Sequence, residues 1–268
     1  MKIIDALAAH HIATPLKDAE TVEINEAAGD ARERLQAKNF DQAPVVKQSA
    51  VVGWVATNRL SDGSRVKGFY QPLERSRFAG ASSSINDVLP HLAAPGFCFT
   101  VWRAGLEGFI TPSDLDRHAA RCHFYLLVAG VEMALSSVVR SLAPESELIE
   151  HISTHPMRPG ENGGVETLRS TFEAARRAGR DTHPVEYLYL GELIEILAFR
   201  LDMDISLVKN LEMVRDLQTT VMHPTRALSR LGATQLAAAA GAAVVAHEQL
   251  RALSPAQGDI TPDDHRAD

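Results

Sequence analysis

A chain of 268 residues, 45% hydrophobic and 23% charged, is long enough to bury two separate cores and has the composition of ordinary globular domains. Its formal charge of −7 excludes broad electrostatic binding to DNA or RNA, which needs clustered Lys and Arg to release counterions; a local basic patch stays open. The first residues carry one lysine and an apolar run broken by Asp5, His10 and His11, too weak for a signal peptide. The longest apolar stretch near the end, residues 236–246, falls short of the roughly 20 residues that span a bilayer, so the expected location is cytoplasmic, with no membrane partner.

Residues 1–118 mix short β-rich runs with short helices. Residues 119–255 carry long helical periodicities and almost no strand pattern, and residues 256–268 form a polar, flexible tail. In the first part, strand 22–24 leads through a helix over 27–38 to strands 43–46 and 51–56, with a helix starting near Asn58. The order then repeats: a helix over SINDVLPHLA, strands 97–102 and 106–111, and a helix opening at Pro112. Ala43 precedes Gly53 by ten residues, as Cys98 precedes Gly108, and the two pairs are offset by 55. The spacing predicts two related units, each too small to bury a good core alone, so face-to-face packing around a cleft is expected.

Gly108-Phe109-Ile110-Thr111-Pro112-Ser113-Asp114 is the most informative stretch. Gly108 starts a strand; Thr111 reads as an N-cap, Pro112 as the first helical residue and Asp114 as the acid of a capping box. A well-made helix start needs nothing more. The tandem repeat, this Gly-apolar-apolar-Thr-x-x-Asp ending and the strand QAPVV (42–46) together resemble the paired cystathionine-beta-synthase (CBS) domains, or Bateman module, with one unit over about 12–62 and the other over about 78–118. The resemblance implies an adenosine-containing ligand (AMP, ADP, ATP or S-adenosylmethionine) in the cleft. Asp114 would hold the ribose hydroxyls, Thr111 would reach toward phosphate with Ser113 as a lesser contact, and backbone around Phe97 and Cys98 would face the base. A carboxylate accepts from two hydroxyls, and a helix N-terminus favours an anion. The first unit departs from the pattern, with Ala56 where Thr stands and Arg59 where Asp stands, so one nucleotide site is expected. Arg59 reads as a surface charge or as a phosphate partner, and Trp54 as core. The basic, aromatic linker 65–78 reads as a solvated crossover with its aromatics packed on the module.

In the helical half, Phe124, Leu127, Val128, Val131, Leu135, Val138, Val139 and Leu142 form a buried stripe over 123–142, with Glu132 among them. Further helices are expected over 166–179, 186–199, 206–222 and 227–253, with a turn-rich segment over 160–164; an antiparallel bundle is the simplest architecture. The whole chain thus reads as α+β, a tandem module followed by an all-α bundle. His151, His155 and His183 lack metal-ligand spacing, and no metal is assigned. Cys98 and Cys122, without CxxC spacing or secretory context, read as buried free thiols.

The stretch 214–226, with Val221-Met222-His223-Pro224, resembles the signature helix of the HEPN superfamily. That resemblance implies either a metal-independent endoribonuclease, a toxin or defence effector, or a silent bundle used for dimerisation or partner binding. In the first, His223 exchanges protons with the RNA hydroxyl and Arg215 or Arg226 stabilises phosphorane charge. Gln218 stands where an active enzyme of this kind would carry its arginine, and Arg215 lies two helical turns, about 12 Å, before His223. The expected function is a regulatory nucleotide sensor with no required cofactor, whose helical part serves homodimerisation or binds a protein or RNA partner. The rival readings are a nucleotide-gated ribonuclease and a ligand-free scaffold.

Overall fold

The computed structural model describes residues 7–94, 96–103, 105–154, 168–200 and 204–253. Among the described residues, eight strands and eight helices come in the order β1 (Thr14–Pro15), β2 (Val22–Glu23), α1 (Ala28–Ala37), β3 (Gln42–Lys47), β4 (Ala50–Ala56), β5 (Gln71–Pro72), β6 (Phe78–Gly80), α2 (Ile85–Ala93), β7 (Cys98–Trp102), β8 (Gly105–Ile110), α3 (His118–Leu142), α4 (Glu145–Thr154), α5 (Leu168–Arg177), α6 (Leu190–Arg200), α7 (Ile205–Val221) and α8 (Gly232–Leu253). The chain is α+β: a tandem pair of small sheet repeats precedes a helical region. It divides into two compact units, Met1–Phe124 with His223–Ala238, and Tyr125–Met222 with Ala239–Asp268. Residues 119–255 are thus shared between both units.

The repeat is written into the strand register. One four-stranded sheet runs β2-β3-β4-β5 and the other β6-β7-β8-β1. Ala43 faces Val55, Val45 faces Gly53, and the register shifts between Val45 and Val46. Each of these has its counterpart 55 residues on, in Cys98 with Ile110, Thr100 with Gly108, and a shift between Thr100 and Val101. The β3–β4 hairpin turns through Gln48 and Ser49, both at positive φ, the two-residue loop whose twist suits a hairpin. The last strand of each sheet comes from outside its own hairpin. Pro15 of β1 pairs with Gly108, and Pro72 of β5 pairs with Gly53, so Thr14-Pro15-Leu16 and Gln71-Pro72-Leu73 are equivalent segments that each close one sheet.

The incoming strands, with Thr100 of β7 at Gly108, explain the two glycines. A Cβ on Gly53 would sit 2.1 Å from the Gln71 carbonyl oxygen, and one on Gly108 would sit 2.4 Å from Thr100 Oγ1 and 2.8 Å from Ala13 Cβ. Neither site has room for a side chain.

Helix α1 covers the first sheet through Ala28, Ala31 and Leu35, which pack with Val22, Ala43, Val45 and Val55. Phe69 and Tyr70 of the linker pack against that core, as expected of its aromatics. Ile85, Val88, Leu89 and Leu92 of α2 are buried in the second repeat. Helix α2 starts at Ser84, whose hydroxyl accepts from Asn86 N–H at 3.3 Å, while Asp87 accepts from Ser84 N–H at 3.2 Å. Trp54 from one sheet and Phe97, Phe99 and Phe109 from the other form a shared aromatic cluster, joined by Leu16 and Leu73, and this packing makes one core of two weak repeats.

The helices expected at Asn58 and Pro112 are single 3-10 turns, Thr57–Arg59 and Pro112–Asp116. Leu60 and Arg117 return to extended backbone, and α3 begins at His118. In the second unit, Val131, Leu135, Val138 and Val139 of α3 are buried as the stripe predicts, whereas Leu142, at the last turn of the helix, is exposed. Helix α4 lies outside the expected set. Its signals are Glu145 and Glu147 in the first turn and the buried Leu148 and Ile152 one turn apart. Helices α6 and α7 pack on one another, as do α4 and α5, with Phe172, Leu193, Leu197, Leu211 and Val214 buried. Helix α3 and the stretch Leu228–Leu253 are long and apolar enough, by length and composition, to cross a membrane, which the count of uninterrupted apolar residues does not anticipate. Part of that apolarity lies in buried core positions. Cys98 is buried but Cys122 is exposed, a correction to its reading as core: it falls on the side of α3 opposite Ala120, Phe124 and Leu127. The segment 160–164, His155 and the tail 256–268 lie outside the described residues.

Candidate functional site

Strand β8 delivers Thr111 to the start of the Pro112–Asp116 turn, and that turn folds the Asp114 carboxylate back onto it. Asp114 Oδ2 accepts from Thr111 N–H at 2.8 Å and from Thr111 Oγ1 at 3.0 Å. The Ser113 hydroxyl meets Thr111 Oγ1 at 2.8 Å and is exposed. The expected acid-to-N-cap contact is therefore formed, and Thr111, Ser113 and Asp114 are brought together.

Two further groups reach the other carboxylate oxygen. Thr14 Oγ1, from β1, donates to Asp114 Oδ1 at 3.2 Å, and Arg117 Nη2 forms an ion pair with the same oxygen at 2.8 Å. Arg117 Nη2 also donates to Thr14 Oγ1 at 2.6 Å. Sequence spacing missed both. Thr14 arrives from 100 residues upstream, and its only sequence signal is the match between Thr14-Pro15-Leu16 and Gln71-Pro72-Leu73.

Phe97 and Cys98 are fully buried. The Phe97 ring packs on Trp54 at 4.7 Å and on Phe109 at 5.2 Å between centroids, so its side chain is core and only backbone there is left for a ligand. Next to it the Gly96 carbonyl accepts from Gln42 Nε2 at 3.3 Å, a tie between the two repeats. Burial, with the Asp114 charge as the smaller cause, pushes the Cys98 thiol up to about 12, which keeps it neutral and inert. The Arg77 guanidinium stacks over Trp54 at 4.6 Å and Phe97 at 4.9 Å. Its Nη1 is buried without a hydrogen-bond partner among the described residues, and desolvation lowers its pKa.

The equivalent place in the first repeat is built with opposite signs. Arg59, at the position of Asp114, is exposed; Asp62, at the position of Arg117, pairs instead with Arg32 of α1 at 2.8 Å. No carboxylate stands in that repeat where Asp114 stands in the other.

The turn Pro112–Asp116 and the start of α3 also hold the segment after α7. Asp116 accepts from Ser229 N–H at 3.0 Å and from Ser229 Oγ at 2.6 Å. Arg121 Nη1 donates to the His223 carbonyl at 3.3 Å, and its Nη2 donates to the Arg226 carbonyl. Buried His123 meets Asn86 Oδ1 at 2.8 Å through Nε2, fixing the start of α3 on α2. His223 and Arg226 are exposed, and they meet through backbone, Arg226 N–H donating to the His223 carbonyl at 2.9 Å. Arg215 is exposed on α7, its carbonyl accepting from Thr219 Oγ1 at 3.2 Å. Glu132 is half-buried, and burial raises its pKa. Among the described residues, no group of three His, Cys, Asp or Glu could hold a metal ion.

The solved structures similar to this chain include CBS-domain proteins. A CBS-pair protein, CBSX2 from Arabidopsis thaliana, is 19% identical, with 43% of this chain and 96% of that one covered at a TM-score of 0.38. The same protein in complex with AMP gives 19% identity, 44% and 98% coverage and a TM-score of 0.38. The CBS domain of the bacterial CNNM/CorC family Mg2+ transporter, in complex with ATP, is 17% identical over 42% of this chain and 86% of its own, at a TM-score of 0.36. No family model and no curated protein matches the chain.

Proposed function

We propose that this protein is a regulatory sensor: an adenosine-containing nucleotide binds beside Asp114, and its binding alters the segment around His223 and, through it, the association of the helical region with a partner or a second copy. Asp114 would take the ribose hydroxyls and Thr111, with Ser113, the phosphate side. Backbone at Phe97 and Cys98 would border the base. The observation that carries the reading is the shared mounting of two regions on one short stretch. Asp114 lies in the same 3-10 turn as Asp116, which holds Ser229, and shortly before Arg121, which holds the carbonyls of His223 and Arg226. A ligand that shifts Asp114 shifts that mounting, and differential affinity for the two arrangements is what ligand control requires. The ribonuclease reading has no comparable support: Gln218 stands where its arginine is expected, and His223 and Arg226 meet through backbone atoms.

The test is thermal unfolding of the full chain with AMP, ADP, ATP and S-adenosylmethionine, beside Asp114→Ala. A ligand at 100 times its Kd adds about 2.7 kcal/mol, a melting shift of roughly 5 to 10 °C for domains of this size. One nucleotide is expected to produce that shift in the natural sequence and none in Asp114→Ala. Absence of a shift with all four would leave Thr111 to Asp114 as a plain helix start.

A further inference from the structure

The Asp114 carboxylate has no free place for a ligand. An ionised carboxylate offers about four lone-pair sites, and three hydrogen bonds and one ion pair occupy them: Thr111 N–H and Oγ1 on Oδ2, and Thr14 Oγ1 with the paired Arg117 Nη2 on Oδ1. The two sides differ in kind. The Oδ2 bonds come from a residue three positions away and include a backbone N–H, so they are fixed by the turn. The Oδ1 bonds are held by one Arg117 nitrogen that serves Asp114 and Thr14 together. The Arg117 side chain is 42% exposed, against 9% for Asp114, so Arg117 can swing into water and Asp114 cannot.

A hydroxyl pair that reaches Asp114 must therefore displace Arg117. A neutral ligand would leave the guanidinium without its anion beside the site, whereas a ligand carrying its own phosphate re-pairs it, and Arg matches phosphate with a bidentate fork. We infer that Arg117 is a specificity-determining residue that excludes neutral nucleosides and admits phosphorylated ones. The pairing is not a by-product of the turn, because in the first repeat the arginine and the acid three residues apart do not pair: Asp62 turns to Arg32 instead. Among the described residues, the Arg117 guanidinium is held otherwise by one long bond from Nη1 to the Ala13 carbonyl, 3.4 Å, so its release breaks no packed core.

This inference rests on nucleotide binding at Asp114, and the experiment separates the two. Calorimetric titration of the full chain with adenosine, AMP and ATP would be run on the natural sequence, Arg117→Gln and Arg117→Lys, with Asp114→Asn as the site control and circular dichroism to establish folding. The natural sequence is expected to prefer AMP over adenosine by about tenfold or more, a difference of about 1.4 kcal/mol. Arg117→Gln is expected to bring that ratio near unity, by binding adenosine more tightly and AMP more weakly, and Arg117→Lys to keep most of it. AMP binding that needs Asp114 but shows the same ratio in Arg117→Gln overturns the role of Arg117 and leaves the sensor standing. Failure of every ligand to bind the natural sequence overturns both.

Discussion

At the scale of single residues, the two cysteines make opposite predictions from one cause, solvent access. Burial pushes the Cys98 thiol up to about 12 and removes it from solvent, while Cys122 stands exposed on α3. A thiol reagent at neutral pH is expected to label one cysteine per chain quickly and the second only on unfolding; two fast thiols would contradict the buried position of Cys98. The strand glycines are equally specific. Gly53→Ala places a methyl 2.1 Å from a backbone oxygen that cannot move aside, and overpacking of this kind costs about 1 to 3 kcal/mol. Denaturant melts should show that loss for Gly53→Ala and Gly108→Ala alike. Gly53 and Gly108 are legible in the sequence as a repeated pair, but their reason is only partly so: Thr100, which crowds Gly108, lies across its own hairpin, whereas Gln71 at Gly53 and Ala13 and Thr14 at Gly108 come from outside it. The partners of Asp114 stay hidden for the same reason. Spacing exposes Thr111, three residues away, and says nothing of which atoms a distant β1 or the free rotamer of Arg117 brings.

At the scale of elements, the 3-10 turn Pro184–Tyr187 carries a titratable cap. His183 Nδ1 accepts from Val185 N–H at 3.2 Å, which only the unprotonated nitrogen can do, and desolvation, with Arg140 adding repulsion, lowers its pKa below 6.5. The unfolded chain then binds more protons than the folded one as pH falls through 6.5. This contribution is present above the ordinary value and is lost as pH drops toward the lower folded value. Urea melts between about pH 7.5 and 5.5 should show declining stability of the helical region, and His183→Ala should flatten that decline while lowering stability at the upper end. His247, lowered chiefly by burial, works in the same direction and will leave a residual slope. Element existence is mostly readable. Strands β2, β3, β4, β7 and β8, α1, α2 and the long helices emerge from period and capping, whereas the two- and three-residue strands β1, β5 and β6 are too short to show a period, and α4 escapes because its apolar stripe is short, resting on Leu148 and Ile152. The helices at Asn58 and Pro112 stop after one turn because Leu60 and Arg117 go extended, and no local propensity announces that.

At the scale of the whole molecule, the division into a sheet module and a helical half is legible as a change of periodicity, but the course of residues 223–238 is not. That segment belongs with the first unit because Asp116 and Arg121 bind it through backbone atoms and a serine, contacts that leave no pattern in the sequence. Removing one of them should be visible without any ligand: Asp116→Ala loses two acceptor contacts to Ser229 and is expected to lower stability by about 1 kcal/mol, allowing for its exposure, while leaving nucleotide affinity within about twofold. The measurement that reaches the central claim most directly is amide hydrogen exchange of the full chain with and without saturating AMP or ATP. Linked sites predict changed protection at residues 111–121 and, with it, at residues 223–231, the second change vanishing in Asp116→Ala combined with Arg121→Ala while the first persists. Protection confined to residues around Asp114, with residues 223–231 exchanging at the same rate in both states, would contradict the coupling and reduce the protein to a nucleotide-binding module whose helical region acts on its own.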